Sequence, residues 1–255
     1  YGEAISPTKY VRNTKYKDID IHDLEEVKIY GGEPLMNKEA DDFFKQILLD
    51  GNIEKLSIDM STNGTMLPSP IVLESFLNCK ELKINISIDG YNELNEYIRC
   101  GSNWNTIAKN LQFFNSLIDK RVGYTNIQIH SAIGIYNANM ITELDDYVKE
   151  HFPRFKKTRQ MIQFPVFLNI QNVPNDYKKI IEPFLSEADK KYMYNKTEND
   201  YFVHFLNYHN KLNTIRNDEF KDLNPVLENY IQNYSKEQDS TEFFIEQINI
   251  LKGTT

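Results

Sequence analysis

The chain has 255 residues, 40% of them hydrophobic and 13% aromatic, which is enough for a real core and argues against a disordered chain. Its formal net charge of −8 argues against a nucleic-acid partner, because phosphate backbones are gripped by basic surfaces. With no run of about 18 apolar residues and no apolar amino-terminal signal region, it reads as a soluble, cytoplasmic chain.

Two cysteines, Cys79 and Cys100, make neither a disulfide framework nor a metal cage. They read as reduced thiols, one at a helix end and one in a turn. The chain begins at Tyr1 and not at Met, so it reads as a piece of something longer.

The polar residues 1–25 look like a connecting segment. The first predicted strand runs from Glu26 to Tyr30 and stops at Gly31-Gly32, where two residues without a Cβ leave main-chain groups open to a ligand. Glu33 places one carboxylate at the lip, and Pro34 fixes the turn into a helix whose apolar positions are Ala40, Phe43, Phe44, Ile47 and Leu48. Residues 55–60 alternate as a strand and run into Ser61-Thr62-Asn63-Gly64-Thr65, a turn rich in hydrogen-bonding side chains. Pro70 opens a short helix, and residues 82–88 form a strand that breaks at Asp89-Gly90. A charged stretch from Glu93 to Arg99 leads to an amphipathic helix from Trp104 to Leu117. A strand from Asn126 to Ile135, a helix from Met140 to Phe152 and an apolar run from Met161 to Ile170 follow. In that last run Pro165 points to an irregular or edge strand.

Strand and helix thus alternate from residue 26 to about residue 170, the pattern of a parallel sheet covered by crossover helices. Gly31, Gly32, Gly64 and Gly90 all follow predicted strands, which places a ligand cleft at the strand carboxyl ends. From residue 171 the pattern turns to short helices with an aromatic stripe (Tyr201, Phe202, Phe205), continued by Phe220, Leu223, Val226, Leu227 and Tyr230. Residues 243–251 form a further apolar stretch. This tail reads as a helical extension on an α/β body.

The ordered motifs Gly31-Gly32-Glu33-Pro34, Ser61-Thr62-Asn63-Gly64-Thr65 and Ile86-Ser87-Ile88-Asp89-Gly90 resemble successive strand ends of the radical S-adenosylmethionine (SAM) superfamily. Asn95-Glu96-Tyr97-Ile98-Arg99, followed by Trp104-Asn105-Thr106-Ile107 and Asn110-Leu111, is similar to members carrying a twitch or SPASM-type auxiliary domain. The resemblance implies a partial (β/α)6 barrel, here without its first strand, over residues 26–170. It also implies SAM and a 4Fe-4S cluster as cofactors, with reductive cleavage of SAM to a 5′-deoxyadenosyl radical that abstracts hydrogen from a small-molecule or peptide substrate. An external electron donor is implied with it. The family holds its cluster on a CxxxCxxC loop, and this sequence has no such triplet. A missing amino-terminal part is therefore the expectation, with a cluster-free, non-catalytic binding or scaffold protein on the same fold as the alternative.

The resemblance also implies roles for single residues. Glu33 and the carbonyls around Gly31-Gly32 suit the SAM ammonium, against a reading in which the glycines only turn the chain and Glu33 is a solvated helix-start carboxylate. Arg99 suits the SAM carboxylate through a two-pronged contact, against a surface ion pair with Glu93 or Glu96. Ser87 reaches either the ligand or a neighbouring main chain, and Asn63 either the ligand or its own turn. Asp89 is ambiguous, since Asp-Gly is a plain turn signal. The backbone of Ile133–Asn137, centred on Ile135, is the expected adenine contact. His130 reads as structural, no metal ligand is assigned, and the catalytic residue is unknown. A βα-barrel enzyme binding phosphate at the Gly-Gly turn ranks last, as Lys38 is the one nearby cation on the ligand side of that turn.

Overall fold

The computed structural model describes residues 21–22, 24–195, 201–216 and 220–235. Most of the expected connecting segment and the apolar stretch at 243–251 lie outside the described residues. Five strands form one sheet in the order of the chain, the arrangement of a partial (β/α) barrel: β1 (Glu26–Ile29), β2 (Ser57–Thr62), β3 (Glu81–Ser87), β4 (Tyr124–Ile133) and β5 (Lys156–Met161). The register is parallel, with Lys28 opposite Asp59 and Asp59 opposite Lys83. The chain divides into two compact units. One comprises the described residues up to Ile86 with Ala108–Gln128, and the other comprises Ser87–Ile107 with the described residues from Ile129.

In the first unit, helix α1 (Lys38–Asp50) starts where Asn37 Oδ1 accepts the Glu39 N–H at 3.0 Å, and it ends at Gly51 in a left-handed turn. Its periodic positions Ala40, Phe43, Phe44 and Ile47 are the buried ones. Phe44 meets Phe76 of α2 (Pro70–Asn78) edge to face at 6.4 Å. Ser69 caps α2 by accepting the Val72 N–H and donates its own hydroxyl to Asp41 at 2.7 Å, so one side chain joins both helices.

Alternation along β2 and β3 sorts the sheet into two faces. Ile58, Met60, Leu82, Ile84 and Ile86 are at most 1% exposed. On the other face Asp59 accepts from Lys83 Nζ at 2.9 Å and from Asn85 Nδ2 at 2.6 Å, and Gln128 of β4 donates to Asn85. Tyr30 joins this row: burial, followed by the charge of Asp59, pushes its phenol up to about 12.

In the second unit, helix α3 (Glu93–Ile98) leads into α4 (Trp104–Lys120), whose first N–H, on Trp104, donates to Glu96 Oε1 at 2.5 Å. Trp104 packs on Tyr91 and on Tyr147 of α5 (Ile141–His151). The fifth strand differs from expectation. It occupies the charged residues Lys156–Met161, while the apolar run beyond it folds into short helical turns at Val166–Leu168 and Ile170–Asn172. An edge strand needs only one partner and one dry side, so its outer positions can be charged. Lys157 and Arg159 both pair with Asp145 on α5.

The rest of this unit is helical: α6 (Asn175–Ile181), α7 (Glu187–Met193), α8 (Phe202–Arg216), α9 (Phe220–Leu223) and a helix at 225–235. Phe202, Phe205, Phe220 and Leu227 are fully buried as the stripe foretold, whereas Val226 is 46% exposed and stands off it.

Candidate functional site

The chemistry-bearing loops sit at the carboxyl ends of β1 to β4, as parallel topology dictates. In the first unit, Gly31 and Gly32 have φ of 93° and 58°, and a Cβ on either would meet nothing within 4 Å. The pair is therefore required by its left-handed backbone and leaves the loop open to solvent. Pro34 is buried at the start of a short helical turn, Pro34–Met36.

Glu33 is not a solvated carboxylate. Its Oε1 accepts the Thr62 hydroxyl at 2.8 Å and the Leu35 N–H at 3.2 Å, and its Oε2 accepts the Asn63 N–H at 2.7 Å. One side chain thus ties the loop after β1 to the end of β2. Asn63 closes its own turn, its Oδ1 accepting both the Thr65 N–H and the Thr65 hydroxyl. The loop is anchored further by Asn110 of α4, whose Nδ2 donates to the Gly64 carbonyl at 2.8 Å. Thr62 and Asn110 carry no separate role in the sequence reading. Asn110 enters that reading only as part of the Trp104–Leu111 motif, with no contact assigned to it.

In the second unit, Ser87 is half-buried at the end of β3. Arg99 closes α3, with its Nε 2.8 Å from Asp89 Oδ2 and its side chain 30% exposed. The pairing is with Asp89 and not with Glu93 or Glu96. Glu96 is engaged as the cap of α4, and Glu93 accepts from Asn92. Asp89 is a junction: its Oδ1 accepts the Ala132 N–H at 2.7 Å, and its carbonyl accepts Asn137 Nδ2 at 2.6 Å. Ile135 is fully buried, and its N–H donates to the Leu168 carbonyl at 3.0 Å. The N–H groups of Gly134 and Asn137 are likewise satisfied within this loop. His130 meets Thr158 at 2.9 Å across β4 and β5.

The structure therefore groups Gly31, Gly32, Glu33, Pro34 and Asn63 in the first unit, and Ser87, Arg99 and the Ile135 loop in the second. Among the described residues no group of three or more His, Cys, Asp or Glu side chains could hold a metal ion. The thiols do not fit an iron–sulfur cluster. Cys100 is exposed in a turn, and Cys79 is buried, with its thiol pushed up to about 11 by desolvation despite Arg121. Cys79 Sγ accepts from Arg121 Nη1 at 3.3 Å, and its carbonyl accepts from Arg121 Nη2 at 2.8 Å. No helix of the described residues is long and apolar enough to cross a membrane.

Among solved structures, the chain is similar to native anSMEcpe with bound AdoMet and Cp18Cys peptide. That match has 17% identity and a TM-score of 0.43, over 62% of this chain and 45% of that one. It is similar to Streptococcus suis SuiB bound to S-adenosylmethionine at 17% identity and a TM-score of 0.42, over 65% of this chain and 35% of that one. The chain thus spans less than half the length of these structures. No curated protein matches it significantly. The family model described as the Radical SAM superfamily matches residues 2–130, just over half of the chain. That interval takes in the loops after β1, β2 and β3 together with Arg99 and Asn110, and the chain belongs to the radical SAM superfamily.

Proposed function

We propose that this chain is the SAM-binding part of a radical SAM enzyme of the twitch or SPASM type. The observation that carries the reading is Arg99, a half-buried guanidinium at the end of α3 that pairs with the carboxylate of Asp89 just beyond β3, in a chain of this superfamily. In the second unit its planar fork suits a carboxylate, and in the first unit the exposed Gly31-Gly32 carbonyls suit an ammonium, two groups that SAM carries. Because Glu33 already accepts three hydrogen bonds, its part is to hold that glycine loop in shape. Ser87 and Asn63 add short polar side chains at their strand ends, and the Ile135 main chain is the part of its loop assigned to the adenine, the Ile133, Gly134, Tyr136 and Asn137 carbonyls being already taken. SAM held by these groups would supply the radical chemistry of the family toward a small-molecule or peptide substrate. The loops' contribution is to orient SAM and keep water from it.

The cluster ligands do not fit these 255 residues, so the chain by itself binds SAM without turning it over. Titration calorimetry on the protein expressed from its complete reading frame tests the SAM site. Arg99→Gln is expected to weaken SAM roughly 10- to 100-fold, the worth of a charge-assisted pair. An unchanged affinity rejects the reading.

A second reading, a cluster-free binding protein on this fold, is favoured by the two-cysteine count and by the fastening of Cys79 to Arg121. The codons ahead of Tyr1 and anaerobic iron–sulfide reconstitution separate the two. A CxxxCxxC with stoichiometric iron supports the enzyme, and neither supports the binder.

A further inference from the structure

Asp89 follows β3 in what the sequence presents as a plain Asp-Gly turn, yet it is 6% exposed and held on every side. Its N–H donates to Asn95 Oδ1 at 2.9 Å, its Oδ1 accepts the Ala132 N–H at 2.7 Å, and its carbonyl accepts Asn137 Nδ2 at 2.6 Å. Gly90 lets α3 sit directly on the turn, because a Cβ there would lie 2.9 Å from Leu94 Cγ. These contacts leave the second carboxylate oxygen, Oδ2, one fixed position, 2.8 Å from Arg99 Nε. The approach is an ion pair without hydrogen-bond alignment, since Arg99 Nε has no bonded partner. Among the described residues Asp89 is the one carboxylate paired with Arg99. The Asp89 carboxylate thus fixes the guanidinium at Nε by charge and not by an aligned hydrogen bond, which leaves its N–H edge to be taken two-pronged by a second carboxylate.

We propose that Asp89 is a positioning residue for the ligand carboxylate, acting through Arg99; the inference rests on the assignment of Arg99 made above. A neutral side chain at 89 keeps an acceptor for the Ala132 N–H but releases the guanidinium, which then loses its preset direction.

The test is a double-mutant cycle read by calorimetry on the protein expressed from its complete reading frame, with SAM and decarboxylated SAM as probes. Asp89→Asn is expected to weaken SAM roughly tenfold and decarboxylated SAM less than about twofold, the loss of one oriented charge-assisted contact. In an Arg99→Gln background the same change should cost SAM less than about twofold, because the two residues act as one. Arg99→Lys, which keeps the charge without the fork and disturbs no β4 contact, should also lose SAM roughly tenfold and spare decarboxylated SAM. Equal losses for both probes in Asp89→Asn would make Asp89 structural and overturn the proposal. Unchanged SAM affinity in Asp89→Asn or Arg99→Lys would do the same. If Arg99→Gln itself leaves SAM binding intact, the assignment of Arg99 falls first, and the cycle shows which of the two has failed.

Discussion

Removing the Glu33 carboxylate should open the loop after β1 before it unfolds the molecule. The side chain accepts three hydrogen bonds, from Thr62 Oγ1 at 2.8 Å, the Asn63 N–H at 2.7 Å and the Leu35 N–H at 3.2 Å. At a half-buried site each is worth about 1 kcal/mol net, so Glu33→Ala is expected to cost about 2–3 kcal/mol locally. Glu33→Gln keeps one acceptor oxygen but turns an amide N–H toward the remaining donors, for a cost of about 1 kcal/mol. A local loss of about 2 kcal/mol corresponds to roughly 30-fold faster exchange of the Asn63 amide, and the Leu35 amide should accelerate with it. Hydrogen exchange resolved to single amides measures this, with the Gly134 amide, satisfied by Asn137 Oδ1 in the second unit, as an internal standard. Unchanged exchange at Asn63 in Glu33→Ala would refute the reasoning and return Glu33 to the role of a solvated lip carboxylate.

Four further outcomes follow from the packing. Burial raises the Cys79 thiol from 9.0 to about 11, so the folded state binds more protons than the unfolded state between those values. Its stabilisation is complete below pH 9.0 and is lost as pH rises toward about 11. Denaturant titrations should show wild type losing about 2–3 kcal/mol more than Cys79→Ala across that interval. At pH 8 a thiol reagent should label Cys100 promptly and Cys79 only after unfolding. Gly134→Ala drives a Cβ to 2.7 Å from Ile162 Cδ1 and 2.9 Å from the Leu168 carbonyl. Thermal melts should show a cost of about 1–3 kcal/mol. Phe44→Ala empties a fully buried ring site against Phe43 and Phe76, and urea unfolding should register a loss of about 3–5 kcal/mol.

Helices α1 and α4 were legible in the sequence because a helix that buries one face repeats its apolar residues every three or four positions, and Phe43, Phe44, Ile107 and Leu111 do so. The loops after β1 and β2 were legible for a related reason: Gly31 and Gly64 hold positive φ, a local demand that glycine meets. The fifth strand was misplaced onto the apolar run after it, since an edge strand's pairing is set by its neighbour and not by its own hydrophobicity. What Glu33 does depended on Thr62 and Asn63, about thirty positions away, and what Asp89 does depended on Ala132 and Asn137, more than forty away. Residue types and spacing thus determined which loops carry polar groups to the strand ends. Which of those groups bind each other and which stay open to a ligand was decided by tertiary structure, because a hydrogen bond needs its partner within about 3 Å and only folding brings distant segments that close.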